Sequence, residues 1–167
     1  MQQLLISIII LCFSSLNAQT QNKLKVKGIT TDGWSINTSI LKDVTVNIYK
    51  YNDKIASFNS NQKGKFSFEI EMNSYIVLEF LKEGYFSKKI VFDTKNQLID
   101  YNKNYIPFNF EIMMLKEVKG INADDIDFPV AMVEYSHEEK EFLYVEKYTN
   151  DMVKRQEKLM NKLAKKY

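Results

Sequence analysis

The single histidine of the chain, His137, is the residue from which most hydrolytic or metal-dependent chemistry would have to start. It opens the segment HEEKE at 137–141, which begins like the HExxH zinc motif but has Glu141 where the second histidine must stand. One imidazole cannot complete such a zinc site. A Ser-His-Asp arrangement would also have to use His137, and no serine lies in a nucleophile elbow. We therefore expect a solvated histidine in a turn, no metal, no cofactor and no enzyme activity.

Two further groups of residue types could support special chemistry. Asp124, Asp125 and Asp127 could bind a hard cation, but their spacing lacks the glycine and the distant glutamate of a calcium loop, so we expect a solvated acidic loop. A lysine at 25 or 27 and Asn109 are the residue types of an isopeptide cross-link. Both alternate onto faces expected to be exposed, where such a cross-link does not form.

Residues 1–18 are typical of a secretory signal peptide. The apolar run from Leu4 to Phe13 is too short to span a bilayer, and small and polar residues lead to Ala18, after which we expect cleavage. The lone cysteine, Cys12, follows a leucine where lipidation requires a small residue, so we expect no lipid anchor and no thiol in the mature chain. The sequence predicts export to the periplasm, the outer membrane or the outside of the cell, with no transmembrane segment after cleavage.

Charge is nearly balanced overall but unevenly distributed along the chain. The formal net charge of +2 gives no reason to expect a nucleic-acid partner. Residues 117–146 carry a local balance of about −7 and residues 147–167 one of about +5. These two blocks therefore differ from residues 24–115, where charges are mixed.

The region between residues 24 and 115 has the period-two alternation of half-buried β-strands. Phe66, Phe68 and Ile70, for example, alternate with polar residues. The pattern predicts seven strands, at 24–31, 43–51, 54–60, 66–70, 76–80, 86–93 and 107–115. A mainly β, seven-stranded sandwich of the immunoglobulin-like type buries one face of every strand. A meander or a small barrel has the same alternation and stays open as an alternative.

Four segments of this region resemble the carboxypeptidase regulatory-like domain. They are VKG at 26–28, LKDVTVNIY at 41–49, NQKGKFSF at 61–68 and VLEFLKEGY at 77–85. The resemblance implies a transthyretin-like sandwich over residues 19–115, of a kind common in secreted and envelope proteins of Bacteroidota-type bacteria. It also implies a domain with no chemistry of its own. The chain departs from the family at residues 32–41, where the loop that contains Trp34 is longer than usual.

The chain beyond the sandwich is predicted to contain an acidic linker at 116–128 and a C-terminal unit at 129–167. That unit consists of a β-hairpin and a basic amphipathic helix capped by Thr149. Val153, Gln156, Met160 and Leu163 recur at helical spacing on one face. We expect this stripe to pack on the sandwich, because a lone helix in water needs tertiary contacts, although docking on a partner or an anionic surface is also open.

The candidate contact residues are aromatic rings outside the core and the helix stripe: Trp34, Tyr51, Val153, Met160 and Leu163. The rings could stack on a glycan or a partner, or simply cover a sheet edge. The sequence therefore predicts a non-enzymatic, secreted or envelope-associated binding or structural module. The main hypothesis is a protein–protein adaptor that contacts an envelope protein, and the alternative is a carbohydrate-binding module of the cell envelope.

Overall fold

The computed structural model describes residues 23–33, 39–96, 99–100, 103–119 and 127–164. The predicted signal peptide, Trp34 and most of the acidic linker lie outside these residues. All seven strands predicted from the alternation are present, and the mainly β sandwich is confirmed. Exposed and buried residues alternate along the strands because each strand buries one face. Residues 65–70, for example, are exposed and buried in turn.

The first sheet, sheet A, is built around a long central strand. Its strands are β1 (Lys23–Asp32), β2 (Ser39–Ile40), β5 (Lys65–Glu71) and β8 (Phe108–Met114). β8 pairs with β1 in parallel, with Val26 opposite Phe108. β5 and then the short β2 pair with the other side of β1, both antiparallel. The parallel pair brings two strands together that are about eighty residues apart in the chain.

The second sheet, sheet B, has six strands: β3 (Thr45–Lys50), β4 (Asp53–Asn59), β6 (Tyr75–Leu81), β7 (Lys88–Asp93), β9 (Pro129–Ser136) and β10 (Glu141–Tyr144). Their order across the sheet is β10-β9-β7-β6-β3-β4. β9 pairs with β7 in parallel, and every other pair is antiparallel.

The C-terminal hairpin is part of the sandwich rather than the small appendage that its position in the sequence predicts. Phe92 of β7 lies opposite Val133 of β9, so the hairpin extends sheet B by two strands. The physical reason is burial, since Val130, Ala131 and Val133 belong to the same hydrophobic core as the seven predicted strands.

Phenylalanine rings from both sheets form the centre of the core. The Phe66 ring lies 5.4 Å from Phe80 and 5.3 Å from Phe110, and Phe92 meets Phe108 edge-on at 5.3 Å. Such ring pairs add about 0.5–1.5 kcal/mol each to the hydrophobic gain. Gly28 of β1 makes room for them, because a Cβ there would overlap the Phe66 ring and the carbonyl oxygen of Phe110.

The helix α1 (Glu146–Ala164) follows β10 directly. It begins three residues before Thr149, the residue expected to cap it, because the Thr149 backbone N–H already donates to the carbonyl of Val145. The predicted cap is therefore wrong. The Thr149 hydroxyl is buried, with no hydrogen-bond partner among the described residues.

α1 packs against β9 and the neighbouring end of β7. The Tyr148 hydroxyl donates to the carbonyl of Pro129 at 2.7 Å, and Lys88 Nζ donates to Gln156 Oε1 at 3.2 Å. Val153, expected to pack on the sandwich, is instead 46% exposed. The half-buried positions of the first turns are Tyr148, Thr149, Met152 and Gln156. The docked face thus includes Gln156 of the expected stripe, with Met152 on it in place of Val153. In the described part of the chain, no helix combines the length and apolar character needed to cross a membrane.

Candidate functional site at a free sheet edge

The predicted contact residues fall in different parts of the molecule. Trp34 and the side chains of Met160 and Leu163 lie outside what the structure describes. Tyr51 and Val153 are both exposed, Tyr51 at the β3–β4 turn and Val153 on α1. No described contact joins Tyr51 to the helix, so the five residues predicted as contacts do not form one site among the described residues.

Tyr51 is held at the tip of a two-residue turn between β3 and β4. Tyr51 and Asn52 have φ values of 50° and 75°, the left-handed conformation that a tight hairpin turn requires. The ring is 57% exposed, and Lys95 Nζ lies over it, 4.5 Å from the ring centroid. The ammonium occupies one face of the ring, so only the other face remains for stacking on a ligand.

β4, which follows this turn, is the edge strand of sheet B. It pairs with β3, and no second strand pairs with it among the described residues. All its residues are exposed except the half-buried Ala56. Two of the exposed side chains are large and apolar, Ile55 at 49% and Phe58 at 44% exposure. An edge strand with free backbone groups and exposed apolar side chains is a template for pairing with another chain.

Ile55 stands at a β-bulge. The pairing steps from Ile48–Ala56 to Tyr49–Lys54, which leaves Ile55 without a residue opposite it on β3. A bulge bends the strand locally and ends regular pairing at that point. The longest stretch of regular edge backbone is therefore Ala56–Asn59, with Asp53 and Lys54 on the other side of the bulge.

Phe58 connects the edges of the two sheets. Its ring stacks on Phe68 of β5, with centroids 5.6 Å apart and planes inclined by 4°. Within the described residues β5 pairs with β1 alone, so its outer side is also an edge. One side of the sandwich, which we call the open side and define by β4 and β5, thus presents two strand edges with stacked aromatic rings between them.

The turn that joins β4 to β5 is fixed by hydrogen bonds. The buried Ser60 Oγ accepts the Val44 backbone N–H at 2.9 Å. Asn61 Oδ1 accepts the backbone N–H groups of Lys63 and Lys65 at 2.9 and 3.0 Å. Because these groups are satisfied locally, the open side is held in a set geometry before any partner arrives.

A polar network on the outer face of sheet B holds β4 in register. Ser57 Oγ donates to Asn47 Oδ1 at 2.9 Å, and Asn47 Nδ2 donates to Glu79 Oε2 at 3.3 Å. The Tyr49 hydroxyl also donates to Glu79 Oε2, at 2.8 Å. This hydrogen bond to a carboxylate, together with burial, raises the pKa of Tyr49 above its ordinary value of 10.0. The network stabilises the strand pairing and contains no nucleophile activated by a base.

The residues considered for catalysis are not assembled for it. His137 is exposed, and its Nε2 lies 2.8 Å from Asn96 Nδ2. In the described ranges no group of three or more histidine, cysteine or acidic side chains could hold a metal ion. Of the three aspartates considered for calcium, Asp124 and Asp125 lie outside those ranges, and Asp127 pairs with Lys89.

The cross-link residues Lys27 and Asn109 do lie directly opposite each other on the parallel strands β1 and β8. They are on the outer face of sheet A, where Asn109 is exposed and its Nδ2 donates to the carbonyl of Pro107 at 2.9 Å. Amide-bond formation between these side chains needs a site shielded from water. The strand register thus places the two residues opposite each other, as a cross-link requires, but on the outer face of the sheet, where the cross-link does not form.

The edge residues Ile55 and Phe58 were missed as contacts in the sequence, although their strand was predicted. One feature of the sequence could have pointed to them. The segment contains Ile55, Ala56 and Phe58, but these apolar residues do not alternate so as to share one face of a strand. A segment of that kind indicates a bulged or edge strand.

Comparisons with known proteins add little beyond the fold. No protein-family model matches the chain, and no curated protein matches it. Among solved structures it is similar to 3-chlorocatechol 1,2-dioxygenase from Rhodococcus opacus, with 13% identity, a TM-score of 0.42, and coverage of 60% of this chain and 62% of that one.

Two other solved structures are similar at the same low level. The Bacillus anthracis TIE protein has 16% identity and a TM-score of 0.41, with coverage of 56% of this chain and 17% of that one. The major pilin SpaD from Corynebacterium diphtheriae has 12% identity and a TM-score of 0.39, with coverage of 58% and 31%. The chain spans less than two thirds of each of these three proteins. Likeness at this level carries no argument about what the chain does.

Proposed function

We propose that this chain is an exported, non-enzymatic adaptor that binds an envelope protein by adding a strand of the partner to the edge of β4. The observation that carries the proposal is the exposed β4 edge with Ile55 and Phe58 on it. In strand addition, backbone hydrogen bonds supply affinity and alternate side chains supply specificity. The bulge at Ile55 limits the partner strand to a short segment beside Ala56–Asn59.

Export is supported by the signal-peptide pattern of residues 1–18. The four segments quoted above support placing residues 24–115 among the carboxypeptidase regulatory-like domains. A non-enzymatic role is supported by the single histidine, which is exposed and hydrogen-bonded to an asparagine side chain. The last two points favour a module that presents surfaces over one that performs a reaction.

The test uses the mature chain, residues 19–167, and its partner isolated from the native envelope by affinity purification and mass spectrometry. Hydrogen exchange of the complex should show new protection of the backbone amides of β4. Phe58→Glu should remove most of the binding, because a carboxylate at this position places a charge against the partner strand. Its thermal midpoint must be measured too, since Phe58 stacks on Phe68.

Val153→Glu is the matched control, because Val153 is an apolar side chain exposed to nearly the same extent on α1. Binding that survives Val153→Glu and is lost in a folded Phe58→Glu variant supports the proposal. Protection on α1 rather than β4, with binding lost in Val153→Glu, would place the interface on the helix and overturn it.

A further inference from the structure

The outer face of sheet A carries a cluster of lysines that the proposed function does not use. Lys25 and Lys27 are two residues apart on β1, and both side chains point away from the buried Leu24 and Val26. Lys65 lies on the same face of the neighbouring strand β5, opposite Ile29. The three lysines surround a shallow depression of about 800 Å³.

The polar side chains between these lysines are uncharged. Ser67 on β5 and Asn109 on β8 lie on either side of Lys27, each directly opposite it in the strand register. Both are exposed. They place a hydroxyl group and an amide group in the middle of the lysine cluster, where each can exchange hydrogen bonds with a polar ligand.

Positive charge exceeds negative charge on this face. None of the ion pairs among the described residues involves Lys25, Lys27 or Lys65. Three carboxylates lie on the face. Glu69 is opposite Lys25 and pairs with Lys23 at 3.9 Å, Glu71 pairs with Lys50, and Glu111 accepts a hydrogen bond from the Thr31 hydroxyl at 2.7 Å. The cluster therefore has ammonium groups available for an anionic ligand.

The spacing of the lysines suits an anionic polymer. Lys25 and Lys27 are about 7 Å apart along the strand, at roughly 3.4 Å per residue. Lys65 is diagonal to Lys27 across the strand pair, a separation of about 7–8 Å. The three lysines are thus attached to the sheet at nearly constant intervals, and carboxylates also repeat at regular intervals along a chain of acidic sugars.

We propose that this face, defined by Lys25, Lys27, Lys65, Ser67 and Asn109, binds an acidic polysaccharide. The lysines would pair with its carboxylates, and Ser67 and Asn109 would hydrogen-bond its hydroxyl groups. Phe66 and Phe110 line the depression but are buried, so they offer no exposed ring on which nucleic-acid bases could stack. No arginine lines it for bidentate phosphate contacts. Of the side chains between its lysines, Ser67 and Asn109 are polar and Ile29 is apolar but half-buried. This face therefore presents little apolar surface for insertion into a lipid layer.

Binding is measured by isothermal titration calorimetry with oligogalacturonate as the probe and a neutral dextran oligomer of equal length as the comparison. Wild-type protein should bind oligogalacturonate, with affinity that falls as salt is added, and should not bind dextran. Each of Lys25→Gln, Lys27→Gln and Lys65→Gln should weaken binding about two- to fivefold, and the triple variant at least about tenfold. Lys25 and Lys65 are exposed, and Lys27 is half-buried on the outer face, so these substitutions should leave the thermal midpoint unchanged.

Two further variants separate a defined site from general charge. Lys158→Gln changes net charge equally but lies on α1 and is exposed, so it should bind as the wild type does. Glu111→Gln removes the carboxylate nearest the depression and should tighten binding, by up to about fivefold. Equal losses in Lys158→Gln and Lys27→Gln would overturn the proposal, as would no change in the triple variant.

Anionic lipid and nucleic acid are tested in parallel with phosphatidylglycerol vesicles and single-stranded DNA. Tighter binding of either through the same lysines would overturn the assignment to a polysaccharide. Phe58→Glu on the open side should not alter oligogalacturonate binding, because Phe58 belongs to the opposite sheet and contributes nothing to this face. Failure of the edge-strand proposal would thus leave this one standing, and the reverse also holds.

Discussion

Lys88 is a lysine buried by the sandwich and α1, and its replacement gives the sharpest test of the structure. It is 4% exposed, opposite Phe80 in the β6–β7 register. Its ammonium group donates to the neutral amide oxygen of Gln156. Burial lowers the pKa of Lys88 from 10.5 to about 8. The charged ammonium group of Lys88 has therefore lost most of its hydration, which costs free energy in the folded state.

The cost follows from the difference in pKa between the folded and unfolded chains. At about 1.36 kcal/mol per pKa unit, the shift removes about 3 kcal/mol from the free energy of unfolding at pH 7. Between pH 8 and 10.5 the unfolded chain binds more protons than the folded one, so stability rises with pH across this window. Below pH 8 the cost is fully present. Lys88→Met keeps the aliphatic stem, removes the charge and loses one hydrogen bond worth ~1 kcal/mol.

Lys88→Met should therefore raise the free energy of unfolding at pH 7 by about 2 kcal/mol. Urea unfolding of both proteins, followed by circular dichroism between pH 7 and 9.5, measures this difference. The advantage of the variant should shrink steadily above pH 8. Lys158→Met, at an exposed position, should match the wild type throughout. A destabilised Lys88→Met, or an advantage that stays constant with pH, would mean that Lys88 is not a desolvated ammonium.

Two other substitutions test local geometry. Gly28→Ala should lower the free energy of unfolding by about 3 kcal/mol, because its Cβ would overlap the Phe66 ring and backbone, whereas Gly84→Ala meets no atom within 4 Å and should cost only about 1 kcal/mol for its left-handed φ. Equal losses in urea unfolding would contradict this ranking. Glu79→Gln should lower the pKa of Tyr49, since the carboxylate is the main cause that raises it; an unchanged NMR titration of the Tyr49 ring would show that burial alone sets this pKa.

The strands could be predicted from the sequence because a strand that buries one face alternates apolar and polar residues. β5 is the clearest example, with Phe66, Phe68 and Ile70 buried and the residues between them exposed. The helix start was less accessible, since Thr149 has the residue type of a cap but its backbone N–H is satisfied by Val145. Capping preference depends only on local residue type, whereas in the structure the helix begins directly after β10, before the residue that was expected to cap it.

The order of the strands could not be predicted in the same way. β9 alternates like an independent hairpin strand, and only its pairing with β7, about forty residues away, shows that it belongs to sheet B. The same limit applies to the candidate site. Whether β4 is an edge depends on which strand lies beside it, and its own residues specify only that it is a strand.

The register between β1 and β8 determines whether Lys27 is buried, where it could form a cross-link, or faces outward, where it could bind a ligand. Val26 and Phe108 form one cross-strand pair and Gly28 and Phe110 another, and these pairs face the core. Lys27 and its partner on β8 must then face outward, because a strand alternates strictly. A slip of one residue would bury the lysine and expose the phenylalanines, at a large hydrophobic cost. The pairing that keeps Lys27 out of a buried cross-link is therefore the same pairing that supplies a positively charged surface for a ligand.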